Sequence, residues 1–197
     1  MVDNSFNLFV PNHLPHAVCD DIVLRFERDP RKTKGLVNNK VLNENIKSSM
    51  ELPISAYEEW KDIDTLLFDS LQTGYKLYID YLSRLKNKIP LFTDIKDRGY
   101  TIEKYHANIG FHQWHTDFGV YSENPNNIEC RIVGFKWFLS ESLIDGMNSL
   151  EGAVRHEKGT MLFYPSTWTT VCEVPWHTTD QYHISGYMVV NINSHMS

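Results

Sequence analysis

The second half of the chain, from Tyr100 onward, consists of short β-rich runs that are separated by turn-forming residues. A single strand leaves its backbone donors and acceptors unpaired, so runs of this kind must combine into sheets. The connecting segments 122–127 and 145–149 are rich in turn formers. The predicted strands are Tyr100–Tyr105, Phe111–Phe118, Arg131–Leu139, Gly159–Tyr164, Thr169–Val174 and Tyr182–Ile192.

Helices are predicted before these strands. Apolar residues at helical spacing indicate one helix from about Pro15, and Asp29-Pro30 ends it because the residue before a proline avoids the α region. A longer amphipathic helix is predicted from Asp62 to Lys88, and a short strand at Asn7–Val10. The segment 31–45 is polar and is predicted to be a loop with at most a short strand at 36–42. Helices followed by strands indicate an α+β domain with the helices outside the sheets.

Length and composition indicate one compact domain, residues 1–197. With 42% hydrophobic residues the chain can bury a substantial core. The net charge of -6 and the lack of a Lys/Arg cluster argue against binding of nucleic acid. Cys19, Cys130 and Cys172 lack the spacing of a metal motif and are an odd number, so no disulfide framework is expected. No signal peptide or membrane-spanning run is apparent, so we expect a cytoplasmic or other intracellular location.

A motif with chemical meaning lies in the second predicted strand. His115 and Asp117 are two residues apart, so on a regular strand their side chains point to the same face. Two imidazoles and one carboxylate on a single face bind iron in non-heme Fe(II) oxygenases. The His-x-Asp spacing alone occurs often by chance, so its surroundings must decide.

Those surroundings resemble a known family. From Gly99 to Asn191 the sequence is similar to the prolyl 4-hydroxylase branch of the 2-oxoglutarate/Fe(II) oxygenases, particularly small bacterial and phage members. The segments that carry the resemblance are Gly99–Tyr105, Trp114–Gly119, Arg131–Leu139, Lys158–Trp168 and Gln181–Tyr187, in the family's order.

The resemblance implies a fold, two cofactors and a set of site residues. The fold is a double-stranded β-helix, the jelly roll of cupins and oxygenases, over residues 99–192, supported by a helical region, 1–98. The cofactors are Fe(II) and 2-oxoglutarate, whose oxidative decarboxylation is coupled to hydroxylation of a C–H bond. His115 and Asp117 match the first two iron ligands, and Tyr105 matches an aromatic residue that lines the pocket.

The third iron ligand of the family is not found in its usual place. Cys172 lies where the resemblance requires a histidine. A thiolate could bind iron, but soft sulfur changes the redox behaviour of the metal, and a small buried apolar role is the other interpretation of Cys172. His177, in a predicted loop, and His183, on the last predicted strand, are the alternative ligands.

The residue that should bind the far carboxylate of 2-oxoglutarate is also missing. The family has Lys or Arg where this chain has Gln181, and no Lys or Arg occurs from Gly159 to Ser197. A protonated His183 is the substitute that the last strands offer. Glu173 adds negative charge nearby, and Met147 replaces a glycine of a substrate-side turn, so four departures fall in one expected cavity.

The sequence therefore predicts an oxygenase-like protein in which standard dioxygenase activity is impaired or absent, that is, a pseudoenzyme. Two alternatives stay open. One is an active Fe(II)-dependent dioxygenase that hydroxylates a prolyl or other side chain with a substitute third ligand. The other is a non-catalytic structural module, for instance of a phage particle. The substrate, a protein or a small molecule, is not identified, and a homo-oligomer or a place in a virion assembly also stays open.

Overall fold

The computed structural model describes residues 6–37, 41–85, 95–124, 127–141, 147–149, 152–154 and 156–192. Within these ranges the α-helices are α1 (His16–Arg28) and α2 (Lys61–Leu85), and two 3-10 turns, Ile54–Ala56 and Glu58–Trp60, precede α2. The strands, in chain order, are β1 (Leu8–Val10), β2 (Thr33–Lys34), β3 (Lys47–Ser48), β4 (Met50–Pro53), β5 (Ile95–Asp97), β6 (Thr101–Tyr105), β7 (Phe111–Thr116), β8 (Val120–Asn124), β9 (Asn127–Phe138), β10 (Met147–Ser149), β11 (Gly152–Val154), β12 (Met161–Pro165), β13 (Val171–Val174) and β14 (Gln181–Asn191).

The described strands form two antiparallel sheets. The larger sheet has the order β1-β12-β9-β14-β6-β4-β2, with β8 beside β9 and β5 beside β14. The smaller sheet has the order β11-β10-β13-β7-β3. Strands that are distant in the chain are neighbours in each sheet, such as β7 beside β13, and this crossing is the pattern of a jelly roll. The predicted double-stranded β-helix is confirmed.

Side chains of the two sheets meet in the interior of the barrel. Lys47 of β3, in the smaller sheet, forms ion pairs with Glu51 and Glu103 of the larger sheet. A small apolar cluster also connects the two sheets and contains Phe138, Leu162, Tyr164 and Cys172. The interior is therefore partly charged and partly apolar.

The main hydrophobic core lies on the other face of the larger sheet. Phe135 and Trp137 of β9 point to this face because side chains alternate along a strand. The apolar sides of both helices cover it, as predicted, with Ile22 and Phe26 from α1 and Leu67 from α2. The helices thus stabilise the sheet from outside and leave its inner face to the site.

The predicted elements are largely those of the structure, with corrections at the connections. All six predicted strands are present with shifts of a few residues, and α2 is described only to Leu85, so 86–88 lie outside the described residues. The predicted turn at 122–127 is wrong at its start, where 122–124 belong to β8, because pairing with β9 satisfies their backbone groups. Likewise 147–149 form β10. In the predicted 36–42 strand, Val37 and Val41 form an isolated bridge, and 38–40 lie outside the described residues.

Cys19, Cys130 and Cys172 are all free. Neither α1 nor α2 is long and apolar enough to cross a membrane.

A buried carboxylate fixes the end of α1 against the start of α2. Asp29 accepts hydrogen bonds from the Arg31 backbone N–H at 2.9 Å, from the Arg31 guanidinium at 2.7 and 2.9 Å, and from Trp60 Nε1 at 2.9 Å. The bonds from Arg31 hold the pKa of Asp29 well below its usual value, although burial acts in the opposite direction. Because the pKa is lowered in the folded state, the ionised carboxylate stabilises the fold.

We predict that Asp29→Asn lowers the free energy of unfolding by ~1–3 kcal/mol at pH 7, because the charge-assisted bonds are lost while the shape is kept. The stabilisation is fully present above the pKa of an unfolded aspartate, about 3.9, and is lost as the pH falls below it. Urea denaturation at pH 7 and pH 3 should show the difference from wild type shrinking at the lower pH. Asp80→Asn, on the exposed side of α2, is the control, and an equal deficit at both pH values would contradict the prediction.

Candidate metal centre

His115 and Asp117 meet at the end of β7, inside the mouth of the barrel. His115 is on β7, and Asp117 is the first residue after the strand ends at Thr116. Their facing atoms, His115 Nε2 and Asp117 Oδ1, are 3.7 Å apart. The two side chains therefore share a face, as the spacing predicts.

Cys172 completes a group of three donors. Strand β13 pairs with β7 in a register that places Cys172 opposite His115. The Cys172 Sγ lies 3.8 Å from His115 Nε2, and one donor atom from each of the three residues lies within 4.8 Å of the others. An ion roughly 2.0–2.3 Å from each donor spans separations of this size. The convergence is a consequence of strand register.

The three donors are supported as metal ligands usually are. His115 Nδ1 donates to the Gln113 carbonyl oxygen at 2.7 Å, which leaves the lone pair on Nε2 and aims it at Asp117 and Cys172. The Asp117 carboxylate accepts a bond from the Tyr164 hydroxyl at 2.6 Å and one from the Tyr187 hydroxyl at 2.9 Å.

A glycine makes room for one of these bonds. Gly134 of β9 is opposite Tyr164 of β12, and a Cβ added at Gly134 would lie 2.3 Å from a Tyr164 ring carbon. The absence of a side chain at this position allows the tyrosine ring to lie across β9 and reach Asp117.

The protonation of the donors reflects their surroundings. Burial alone would raise the pKa of Asp117, but the charge of Lys136 and the bonds from Tyr164 and Tyr187 lower it to about 2. Burial raises the pKa of Cys172 to about 11, and the positive charge of Lys136 opposes it. Without a metal, Asp117 is therefore a carboxylate and Cys172 a neutral thiol at pH 7. A bound metal would deprotonate the thiol, since a coordinated thiol loses its proton.

These donors fit a divalent cation, though not Fe(II) in particular. The set is one imidazole nitrogen, one carboxylate oxygen and one sulfur, where the oxygenases use two imidazoles and one carboxylate. Histidine, cysteine and aspartate are all zinc ligands, and three protein donors leave a fourth position open.

The two other candidate ligands lie away from this group. His183, on β14, is fully buried, and neither of its ring nitrogens has a hydrogen-bond partner in the described chain. Its ring packs against Phe138, Tyr105 and His156, with ring centroids 5.3–5.7 Å apart. His177 is buried in the segment between β13 and β14. Among the described residues, no imidazole besides His115 joins the group that contains Asp117.

The positions that should hold 2-oxoglutarate are engaged elsewhere. Gln181 is buried, accepts a bond from the Ser140 hydroxyl at 3.2 Å and donates to Thr179 at 3.0 Å. Tyr105 is buried and donates to Glu103 at 2.7 Å. Burial lowers the pKa of His183 well below its ordinary value, so this ring is neutral at pH 7 and does not supply the missing cation. Met147 lies in β10, whose side chains are outside those described.

A cation that the sequence analysis did not identify lies in the interior. Lys136 of β9 is 5% exposed, on the inner face of the larger sheet. Burial disfavours its charge, but the negative charge that Cys172 carries in its thiolate form and the carboxylate of Asp117 act the other way and raise the pKa of Lys136 above its ordinary value. The signal in the sequence was a single lysine inside the apolar run Arg131–Leu139, because a charge is rarely buried without a role or a partner.

Further charged side chains lie in the interior of the barrel, namely Glu103 and Lys47. Glu103 forms an ion pair with Lys47 at 3.4 Å and accepts hydrogen bonds from Tyr105 and Ser185. Burial would raise the pKa of Glu103, but Lys47 and Lys136 hold it well below its usual value. Glu103 therefore remains ionised although it is buried.

The fold is shared with prolyl hydroxylases of known structure. No protein-family model and no curated protein sequence matches the chain. A viral collagen prolyl hydroxylase from Paramecium Bursaria Chlorella virus-1 is similar over 95% of this chain and 98% of its own, with a TM-score of 0.61 and 10% identity. A prolyl-4-hydroxylase from Pseudomonas putida is similar over 93% of this chain and 92% of its own, with a TM-score of 0.62 and 14% identity.

A third example is a prolyl hydroxylase from Trichoplax adhaerens in complex with a hypoxia inducible factor peptide fragment. It is similar over 98% of this chain and 88% of its own, with a TM-score of 0.70 and 14% identity. At these identities the likeness establishes the shared fold alone. The site must therefore be judged from this chain's own residues.

We predict that Tyr187→Phe weakens binding of Zn²⁺ by about ten- to a hundredfold, because the hydroxyl that orients Asp117 is removed. Affinity would be measured by competition with a chromophoric zinc chelator. Tyr182→Phe is a matched control, since Tyr182 is also on β14 but donates to Glu27 on the outer face. Equal affinities in the two variants would show that the Tyr187 hydroxyl does not support the metal centre.

Proposed function

We propose that the protein binds a divalent metal through His115, Asp117 and Cys172 in an oxygenase fold, and that standard 2-oxoglutarate-dependent dioxygenase activity is impaired or absent. The observation that carries this proposal is the identity of the third donor. A buried thiol lies opposite His115, in the position where a prolyl hydroxylase needs an imidazole.

The electrostatics of the interior support a cation at this position. Three carboxylates, those of Asp117, Glu103 and Glu51, face two ammonium groups, those of Lys47 and Lys136. Asp117 stays ionised at neutral pH, and its Oδ1 lies 3.7 Å from His115 Nε2. A divalent cation therefore finds an excess of negative charge and three donors whose orientation is fixed before it binds.

The chemistry of the donors argues against the usual reaction. Thiolate is a soft ligand that favours zinc over iron in a site of this size, and it is readily oxidised where oxygen is activated. The neutral Gln181 has no charge for the far carboxylate of 2-oxoglutarate, and the neutral His183 does not replace one. Burying the far carboxylate of 2-oxoglutarate without a cation beside it would cost several kcal/mol of binding free energy, as loss of one partner of a buried ion pair does. Binding of Fe(II) and binding of 2-oxoglutarate are thus each weakened, for separate reasons.

An active Fe(II) dioxygenase with Cys172 as substitute ligand is the second candidate. It is favoured by the intact support of the first two ligands, namely the Gln113 carbonyl behind His115 and the two hydroxyls on Asp117. In that case the substrate class would be a prolyl or other side chain. If the protein binds no metal, the remaining alternative is a non-catalytic structural module. Assembly into a virion is one form of that alternative.

Metal content and 2-oxoglutarate turnover together test the proposal. We predict that anaerobically purified protein binds one Zn²⁺ more tightly than Fe(II), and that the Fe(II)-loaded protein releases succinate from 2-oxoglutarate no faster than free Fe(II) does. Inductively coupled plasma analysis after dialysis gives the stoichiometry, and chromatography measures succinate.

Cys172→His and Cys172→Ala separate the roles of the thiol. Cys172→Ala should lose zinc, because two donors remain, whereas Cys172→His should bind Fe(II) with the ligand set of an oxygenase. Cys130→Ala is the matched control, since its thiol is also free and lies outside the group. Metal retained in Cys172→Ala, or succinate formed at enzymatic rates by the wild type, would contradict the proposal.

A further inference from the structure

Lys136 is 5% exposed as a residue, and its ammonium group has no direct partner among the described residues. In the part of the chain that the structure describes, it makes no hydrogen bond and no ion pair, and its nearest aromatic contact is the Tyr164 ring, 5.9 Å from the ring centroid. Three N–H donors of a charged group cannot be left unsatisfied at low cost in an interior. The acceptors for these donors must therefore come from water or from a bound anion.

We propose that Lys136 binds the carboxylate of a compact anion, such as a short 2-oxo acid, which lies next to the group formed by His115, Asp117 and Cys172. This inference rests on the proposed function, because the anion would lie between Lys136 and a metal held by that group. Lys136 would then determine which acids bind there.

Strand register places this cation near the metal centre and far from the usual anchor. Lys136 pairs with Ser185 of β14, whereas the family's anchor position, Gln181, lies four residues earlier on the same strand. Four residues of a strand span ~13 Å. On β14, Ser185 is next but one to Tyr187, which bonds to Asp117. An anion on Lys136 is thus held at the Asp117 end of the barrel.

Aromatic side chains fill the space between the two positions. His183 pairs with Phe138, between Lys136 and Gln181 along the sheet, and the Phe138 ring stacks on His156 at 3.8 Å between centroids. Both His183 and Phe138 are fully buried. An acid that extended from the metal centre to Gln181 would have to displace these rings. A two- or three-carbon acid would not reach them.

Charge also favours a small monoanion. Lys136 is the interior ammonium that makes no direct ion pair among the described residues, whereas the other, Lys47, is paired with Glu51 and Glu103. A dianion such as 2-oxoglutarate would bring a second carboxylate that has no cation. In a buried site that second charge is strongly unfavourable.

Calorimetric titration of the Zn²⁺-loaded protein with pyruvate and with 2-oxoglutarate tests the proposal. We predict that wild type binds pyruvate at least about tenfold more tightly than 2-oxoglutarate, and that Lys136→Met weakens pyruvate binding by about ten- to a hundredfold, as expected for loss of a charge-assisted bond. Lys158→Met, whose lysine pairs with Asp20 on the surface, should bind pyruvate as wild type does. Circular dichroism melting of each variant checks folding, and Lys136→Gln is used if Lys136→Met does not fold.

The outcomes separate this inference from the proposed function. Pyruvate binding that is unaffected by the Lys136 substitutions, absent pyruvate binding, or tighter binding of 2-oxoglutarate would each overturn the role of Lys136. Zinc content is measured independently on the same samples. Bound zinc without pyruvate binding would reject only the inference, whereas Lys136-dependent pyruvate binding by a protein that holds no metal would reject only the proposed metal centre.

Discussion

The ion pairs that Lys47 makes with Glu51 and Glu103 join the two sheets of the barrel through its interior. Lys47 comes from the smaller sheet and both carboxylates come from the larger one, so the pairs hold the sheets face to face. Removing one partner of a buried pair leaves an uncompensated charge and costs about 3–5 kcal/mol. The candidate metal ligands lie in the interior between the two sheets that these pairs connect.

The site itself also depends on contacts between the sheets. His115 and Cys172 come from neighbouring strands of the smaller sheet, while the tyrosines that orient Asp117 come from β12 and β14 of the larger sheet. The candidate metal ligands at this end of the barrel are therefore oriented by bonds from both sheets. At the other end the interior holds the aromatic rings of Phe138 and Tyr105 and the neutral Gln181, which bonds to its neighbours. The buried cation Lys136 lies on β9 and not on the last strand.

Several features of the fold could be predicted because their causes are local. Alternating runs predict strands, and helical spacing predicts the apolar faces of α1 and α2. The convergence of His115 and Asp117 follows from the two-residue period of a strand. Short strands such as β3 and β8 could not be predicted, because their few residues lack a pattern and are ordered by pairing with β7 and β9.

By itself, the sequence determined the jelly roll, the pair of candidate metal donors at the end of β7 and the lack of a Lys or Arg on the last strands. Only the tertiary structure decided that Cys172 joins those donors while His177 and His183 do not, because β13 pairs with β7 in one register among several that the sequence allowed. Only the structure brought Lys136 into the interior where its charge acts on Asp117 and Cys172, because β7, β9 and β13 come together only in the folded barrel.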